Sequence, residues 1–366
     1  AKDIPLWQVT IWDKKFNNVD KKWQPKTIKY KYLLSDELDS LRVDDGDVRI
    51  LYTGKDVGFT TEELAGDRLS EGEIISIPWG GIPTVKYHKG KFVTGDNRIA
   101  TSKDINKLTN KYLYYFMRGN IHEIASYYRG ASLKHPCMKD ILKMTISYPS
   151  VQEQDKICGQ FDVLEQIIEV RKQELQLLDD LIKARFVEMF NLSDCIYKSL
   201  GECTDFVDYR GHTPELSDEG IIRMVNAKSV GKGFFKYVDE FVTEETYDAW
   251  MHRGFGYPGD ILFVTEGHTF GNTCLIPEDM TKFALGQRVI TIKGKEEIKN
   301  AFLCSYMQTD MFWKDINVYR TGGTAQGIRS KDLVKVMVPI PPIEQQIEFV
   351  RFVHKFDKSK VVEIIN

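Results

Sequence analysis

The residues with the most chemical reach lie in loops that set basic, amide and aromatic side chains side by side. In the first half of the 366-residue chain these are Pro78-Trp79-Gly80-Gly81, Tyr87-His88-Lys89-Gly90-Lys91, Asn97-Arg98 and Tyr127-Tyr128-Arg129-Gly130. In the second half they are Tyr209-Arg210-Gly211-His212-Thr213, His268-Thr269-Phe270-Gly271-Asn272, Gln287-Arg288 and Tyr319-Arg320-Thr321-Gly322. Arg, Asn and Gln can grip two atoms of a base edge in the major groove. Lys and Arg also anchor phosphates, which positions a duplex without reading it. The candidate nucleic-acid contacts are Trp79, Lys89, Lys91, Asn97, Arg98, Tyr128 and Arg129 in the first half. In the second they are Arg210, His212, Thr213, His268, Asn272, Arg288, Arg320 and Gln326. Asn97-Arg98 and Gln287-Arg288 sit beside predicted strands, so for those arginines a role in bracing the domain stays open.

No catalytic signature accompanies these loops. The chain has no GxxxxGK[ST] phosphate loop, no GxSxG elbow, no HExxH, and no Asn-Pro-Pro or Asp-Pro-Pro core of an amino-methyltransferase. The glycine-rich run Thr321-Gly322-Gly323-Thr324-Ala325-Gln326-Gly327 lacks the Lys-Ser/Thr ending and reads as a turn or a DNA-facing loop. The seven histidines show no HxxxH spacing and the six cysteines form no CxxC pair, so no metal is expected. Scattered cysteines in a long chain fit reduced thiols in a cytoplasm. No apolar run approaches the ~18 to 20 residues of a membrane span.

The elements that must position these loops come in two copies. Tyr148-Pro149-Ser150-Val151-Gln152-Glu153-Gln154 aligns with Ile340-Pro341-Pro342-Ile343-Glu344-Gln345-Gln346, and Lys139-Asp140-Ile141-Leu142-Lys143-Met144 with Lys331-Asp332-Leu333-Val334-Lys335-Val336. Gly72-Glu73-Ile74-Ile75 resembles Gly259-Asp260-Ile261-Leu262, and Gly95-Asp96-Asn97-Arg98-Ile99 resembles Gly286-Gln287-Arg288-Val289-Ile290. The pieces keep their order, so one domain type is used twice. Within each copy, buried strand patterns alternate with glycine turns and short helices. That predicts an α+β fold and not a doubly wound sheet.

Each copy ends at a proline followed by a helical pattern. Over residues 157–189 a stripe recurs in steps of four and three: Ile157, Phe161, Leu164, Ile168, Arg171, Leu175, Leu178, Ile182, Arg185 and Met189. This 3.5-residue period predicts the seam of a left-handed coiled coil, broken only at the two arginines. A helix of roughly 38 residues would be about 57 Å long. The second helix begins near Ile343 and sets Phe349, Val353 and Phe356 at matching positions. The expected division is a first domain over 1–150, a spacer helix over 151–192, a second domain over 193–340 and a short second helix over 341–366.

The formal charge of -3 excludes a uniformly basic nucleic-acid binder but not one with a local basic face. Residues 1–150 carry 24 Lys/Arg and 19 Asp/Glu, a net of +5. The first helix, with 5 and 9, and the second domain, with 17 and 21, each carry a net of -4.

This ordered duplication resembles the specificity (S) subunit of type I restriction-modification systems. The resemblance covers essentially the whole chain and is carried by Pro149 to Ile157 with its heptads, by Val338 to Gln346, and by Gly259-Asp260-Ile261-Leu262. It implies two α+β target recognition domains, each reading half of a split, asymmetric double-stranded DNA site. It implies long helices packed antiparallel as a coiled-coil spacer. It also implies two methyltransferase (M) subunits that use S-adenosylmethionine on adenine, two restriction (R) subunits that use ATP and Mg, and no catalysis or cofactor in this chain. The residues themselves leave a second reading open: a coiled-coil adaptor whose two domains bind protein or glycan. The chain departs from the family pattern where Lys360 and Glu363 fall on the seam of the second helix, which implies truncation or partial pairing.

Overall fold

A computed structural model describes residues 3–13, 26–54, 57–209, 213–322 and 326–355. The chain forms two compact units, residues 1–166 and 167–366. Both mix strands and helices, as the α+β pattern predicts.

Unit 1 is built on a seven-stranded sheet. Its order is Thr27–Ile28, Thr10–Asp13, Asn97–Ser102, Ser70–Pro78, Lys86–Thr94, Val48–Leu51 and Gly58–Thr60. Two neighbouring pairs are parallel, Thr10–Asp13 with Thr27–Ile28 and Val48–Leu51 with Lys86–Thr94; the others are antiparallel. Helix α1 (Asn110–Gly119) is capped by Thr109, whose hydroxyl accepts from the Tyr112 amide at 3.2 Å. Its Leu113 and Met117 pack with Trp12, Ile75, Ile77 and Ala100 in the main core.

Unit 2 splits the sheet. Four antiparallel strands run Thr204–Asp208, Val289–Gly294, Ile261–Val264 and Thr273–Leu275. Three more run Phe241–Val242, Ile222–Val225 and Phe283–Leu285. The adjacent trio Thr10–Asp13, Asn97–Ser102 and Ser70–Pro78 recurs as Thr204–Asp208, Val289–Gly294 and Ile261–Val264, the frame shared by the two copies.

In each unit the chain closes on itself before the helix that follows. Ile4 and Pro5 pair antiparallel with Ile146 and Thr145, and Ile196–Ser199 pair with Met337–Ile340.

Helix α2 (Val151–Met189) is one unbroken helix of 39 residues. It contains no proline and a single glycine, Gly159, and so never loses the 3.6-residue ladder. Its buried positions differ from the predicted seam. Phe161 and Leu164 are 44% and 53% exposed, Ile157, Ile168, Leu175, Leu178 and Met189 are half-buried, and of the seam only Ile182 is buried. The side chains that anchor the helix are Gln154 and Cys158 near its start and Ile182, Phe186 and Phe190 at its end. These recur in steps of four, the ridge of a helix docked on a globular core, because each end packs into its own unit. Phe186 and Phe190 meet Phe302 and Phe349 at centroid distances of 4.9 to 5.6 Å.

Phe349 lies on α4 (Ile343–Val353); α3 (Asn300–Tyr306) carries Phe302. Contacts between α2 and α4 pass from Phe190 with Phe349 to Arg185 with Phe352, one number falling as the other rises, as in an antiparallel pair. Arg185 also reaches Glu348 at 3.2 Å, so this break in the stripe is an ion-pair position. Phe356, Lys360 and Glu363 lie outside the described residues.

The two helices that close the copies are fastened identically. Gln154 is fully buried; its Oε1 accepts from the Thr109 amide at 2.9 Å, and its Nε2 donates to the carbonyls of Lys107 at 2.7 Å and Pro149 at 2.9 Å. Gln346, also fully buried, accepts from the Lys299 amide at 2.8 Å and donates to Glu297 at 3.0 Å and Pro341 at 2.8 Å. One residue after each clamped amide, Asn110 and Asn300 repeat the device from the other side. Asn110 bonds the Ser102 amide and the Glu73 carbonyl, and Asn300 bonds the Gly294 amide and the Gly259 carbonyl.

Removing such a glutamine strands one buried amide and two carbonyls, each costing a sizeable desolvation penalty. Gln154→Ala and Gln346→Ala should each lower stability by about 2 to 4 kcal/mol. Urea unfolding checks this, and a loss like that of an exposed Gln152→Ala control would refute the clasp.

Candidate nucleic-acid interface

In unit 1 three segments meet at one end of the frame. The first is the exit of Ser70–Pro78, the second the turn before Asn97, the third the two-stranded ribbon of Tyr128–Arg129 with His135–Pro136. The Trp79 amide donates to the Asp96 carbonyl at 2.9 Å, and the Gly81 amide to Lys134 at 3.3 Å. The Tyr128 hydroxyl donates to the Pro78 carbonyl at 2.8 Å, and His135 Nδ1 lies 2.6 Å from the Trp79 carbonyl oxygen. The Trp79 and His135 rings sit 5.2 Å apart.

Three predicted contacts prove to be the supports of this cluster. Arg98 is 1% exposed; it bonds Asp13 at 3.1 Å, bonds Asp96, and lies 4.7 Å beneath the Trp79 ring. Asn97 is buried, donating to the Leu51 carbonyl at 2.9 Å and to Thr94. Tyr128 is buried too, and burial pushes its phenol pKa upward, so it remains a donor. A buried guanidinium needs fixed carboxylates, and these two hold Arg98 as a strut. What the cluster presents outward is half-buried Trp79 and Arg129, whose side chain is 71% exposed and paired with Asp140 at 2.7 Å.

Lys89 and Lys91 are not part of the cluster. Gly90 pairs with Gly72, six residues along the strand from Pro78, or about 20 Å at the usual strand rise. Lys89 stands 3.6 Å from Glu73 and Lys91 pairs with Glu62.

Unit 2 repeats the three-way junction. The Thr265 amide donates to the Arg288 carbonyl at 2.8 Å, the Ile328 amide to Thr265 at 2.9 Å, and the Gly267 amide to Gln326 at 3.0 Å. Thr321 and Gly327 exchange amide bonds at 2.8 and 3.0 Å. Arg320 donates to the Gln326 side chain at 3.2 Å, and Arg288 pairs with Glu266 at 3.1 Å. His268 is exposed on the same loop. Asn272 turns inward, its amide donating to the Val230 carbonyl at 3.0 Å, so it braces the loop. Beside it Gly271 has φ +81, and a Cβ there would lie 2.1 Å from Trp313, which leaves room only for glycine. Thr213 is exposed; Arg210 and His212 lie outside the described residues.

Exposed guanidiniums beside an imidazole, and an aromatic edge in unit 1, suit an acceptor-rich polyanion. The carboxylates Asp13, Asp96, Asp140 and Glu266 that hold these cations carry no mark in a pattern of cations and amides. Nor does the sequence mark His135, which lies against Trp79. No local signal marks a partner 85 residues away, as Asp13 is from Arg98. Among the described residues no group of three or more His, Cys, Asp or Glu could hold a metal ion, and no helix is long and apolar enough to cross a membrane.

The family described as the type I restriction modification DNA specificity domain matches residues 38–179 and 205–366. The Type I restriction enzyme EcoR124I/EcoR124II specificity subunit of Escherichia coli is 25% identical over 280 residues, 71% of this chain and 66% of that one. The Type I restriction enzyme EcoDI specificity subunit, also of Escherichia coli, is 21% identical over 309 residues, 74% and 68% of the two chains. This chain thus spans about two thirds of the length of these relatives. A solved structure of the S subunit of a type I restriction-modification system from M. genitalium superposes with a TM-score of 0.57 at 16% identity, covering 99% of this chain and 90% of that one. That likeness establishes the fold.

If Arg98 is a strut, Arg98→Met should destabilise unit 1 by about 3 kcal/mol, chiefly by taking the cation from the buried Asp13 carboxylate. The double variant Arg98→Met/Asp13→Asn should recover part of the loss in the same denaturation assay. A single variant as stable as the parent would return Arg98 to the surface.

Proposed function

The chain belongs to the type I restriction modification DNA specificity family, and we propose on that premise that its two units read the two halves of a split, asymmetric DNA site. Its part is specificity and not catalysis. The observation that carries the reading is the recurrence of one three-way loop junction in both units, with two equivalent backbone bonds, Trp79 to Asp96 and Gly81 to Lys134 in one, Thr265 to Arg288 and Gly267 to Gln326 in the other, and different outward side chains. A repeated frame with unlike tips suits two unlike half-sites.

In this reading Trp79 and Arg129 face one half-site, and His268, Arg288, Arg320 and Gln326 the other. Helix α2 carries the chain from one reader to the next and sets the gap between half-sites. Two M subunits bind the chain and transfer methyl groups from S-adenosylmethionine to adenine, and two R subunits add ATP- and Mg-dependent cleavage. Those cofactors stay on the partner subunits, which also supply much of the phosphate contact that a chain of net charge -3 lacks. The assembly works in the cytoplasm, where its six cysteines remain reduced thiols.

Methylation mapping in cells that express this chain with its M subunit should find one bipartite adenine-methylated site. Inserting four residues after Leu175, roughly one helical turn, should change the gap between the half-sites while both halves keep their sequence. An unchanged gap would refute the ruler. Arg129→Ala and Arg320→Ala should each weaken site-specific methylation by about 1 to 3 kcal/mol, the value of a bidentate base contact. DNA binding by the complex should weaken steeply with salt; salt-independent binding would favour the adaptor alternative.

A further inference from the structure

Arg98 and Arg288 flank the same turn of the repeat and have opposite fates: Arg288 stands where unit 1 has Asp96, and Arg98 lies two residues further along the frame strand, where unit 2 has Ile290. Arg98 has a negative φ and lies 1% exposed between Asp13 and Asp96. Arg288 has φ +73, the only positive φ at a non-glycine among the described residues, and its side chain is 53% exposed. Its partner Glu266 is 58% exposed. A left-handed backbone at a residue with a side chain is strained and persists only where its surroundings hold it. Here the Arg288 carbonyl is held by the Thr265 amide at 2.8 Å, and the Gly286 amide donates to Val225 at 2.8 Å. The turn is pinned on both sides of an arginine that it keeps at the surface.

From this geometry we propose that Arg288 and Glu266 act together as the reader of a single G·C base pair in the half-site of unit 2. The inference rests on the DNA reading above and adds the base that this unit demands. The Glu266 contact engages the inner nitrogen of the guanidinium, Nε, at 3.1 Å. The terminal amino groups are the fork that fits guanine O6 and N7, and a carboxylate beside it accepts from the cytosine N4 amino group. In the major groove of a G·C pair those acceptors and that donor lie side by side, and Arg288 and Glu266 are themselves neighbours. An A·T pair sets the adenine amino group before the fork and thymine O4 before the carboxylate, so both groups meet their own sign. Before DNA arrives, the exposed pair is screened by water and opens at little cost. Arg98, enclosed by its two carboxylates, has no such freedom, so unit 1 reads with other residues.

The test uses the complex of this chain with its M subunits and a panel of duplexes in which each base pair of the methylated site is changed in turn. The parent complex should require a G·C pair at one position that Arg288→Gly and Glu266→Ala both relax. Each variant should lose roughly 5- to 150-fold discrimination at that pair and keep its preferences elsewhere. Glycine suits φ +73, so Arg288→Gly removes the guanidinium while easing the turn. Unchanged profiles in both variants, or an even loss across all positions as from a phosphate contact, would overturn the inference. A parent complex with no preference anywhere on the panel would instead overturn the DNA reading itself.

Discussion

Everything that is repeated in this protein hangs on a buried glutamine. Gln154 and Gln346 each satisfy one amide and two carbonyls that would otherwise be stranded where a helix leaves a domain. An amide side chain has both donors and acceptors, so it can bind the loop before one helix and the proline before the next in a single gesture. A leucine would fill the space and leave three polar groups unpaired. The helix start, the preceding loop and the frame strands, fastened through Asn110 and Asn300, therefore behave as one rigid corner in both copies.

On that corner the two units build unlike tips. In unit 1 charge is turned inward: Arg98 is fixed by two carboxylates and supports the Trp79 ring, which also lies against His135. In unit 2 the equivalent turn is inverted at Arg288, and the charge stays outside against a carboxylate that water can replace. One backbone scheme thus yields an aromatic platform in one copy and an ion pair in the other. The difference rests on where the arginine falls: on the frame strand at Arg98, where the second copy has Ile290, and in the turn at Arg288, where the first has Asp96.

The large features are legible in the sequence because they are periodic or repeated. The ordered duplication, the α+β class and the helix from Val151 to Met189 all follow from pattern. The finer assignments fail where long-range partners decide. Asn97-Arg98 and Gln287-Arg288 look alike as dipeptides, yet Asp13 makes the first arginine a strut and nothing near it in sequence announces that. Tyr128 and Asn272 read as loop contacts but satisfy distant carbonyls. The heptad reading fixed on a 3.5-residue stripe and overlooked Phe186 and Phe190, because a helix end docked on a core follows the step of four.

The closure of each unit makes it a module. Ile4 and Pro5 lie against Ile146 and Thr145, and Ile196–Ser199 against Met337–Ile340, so the chain comes into and leaves each domain through adjacent strands. Neighbouring strands lie about 4.8 Å apart, whatever length of polypeptide intervenes. The stretch between can be recombined, enlarged or replaced as a cassette while the helix that follows starts from the same point. Such a socket separates what the intervening stretch becomes from where the next helix begins.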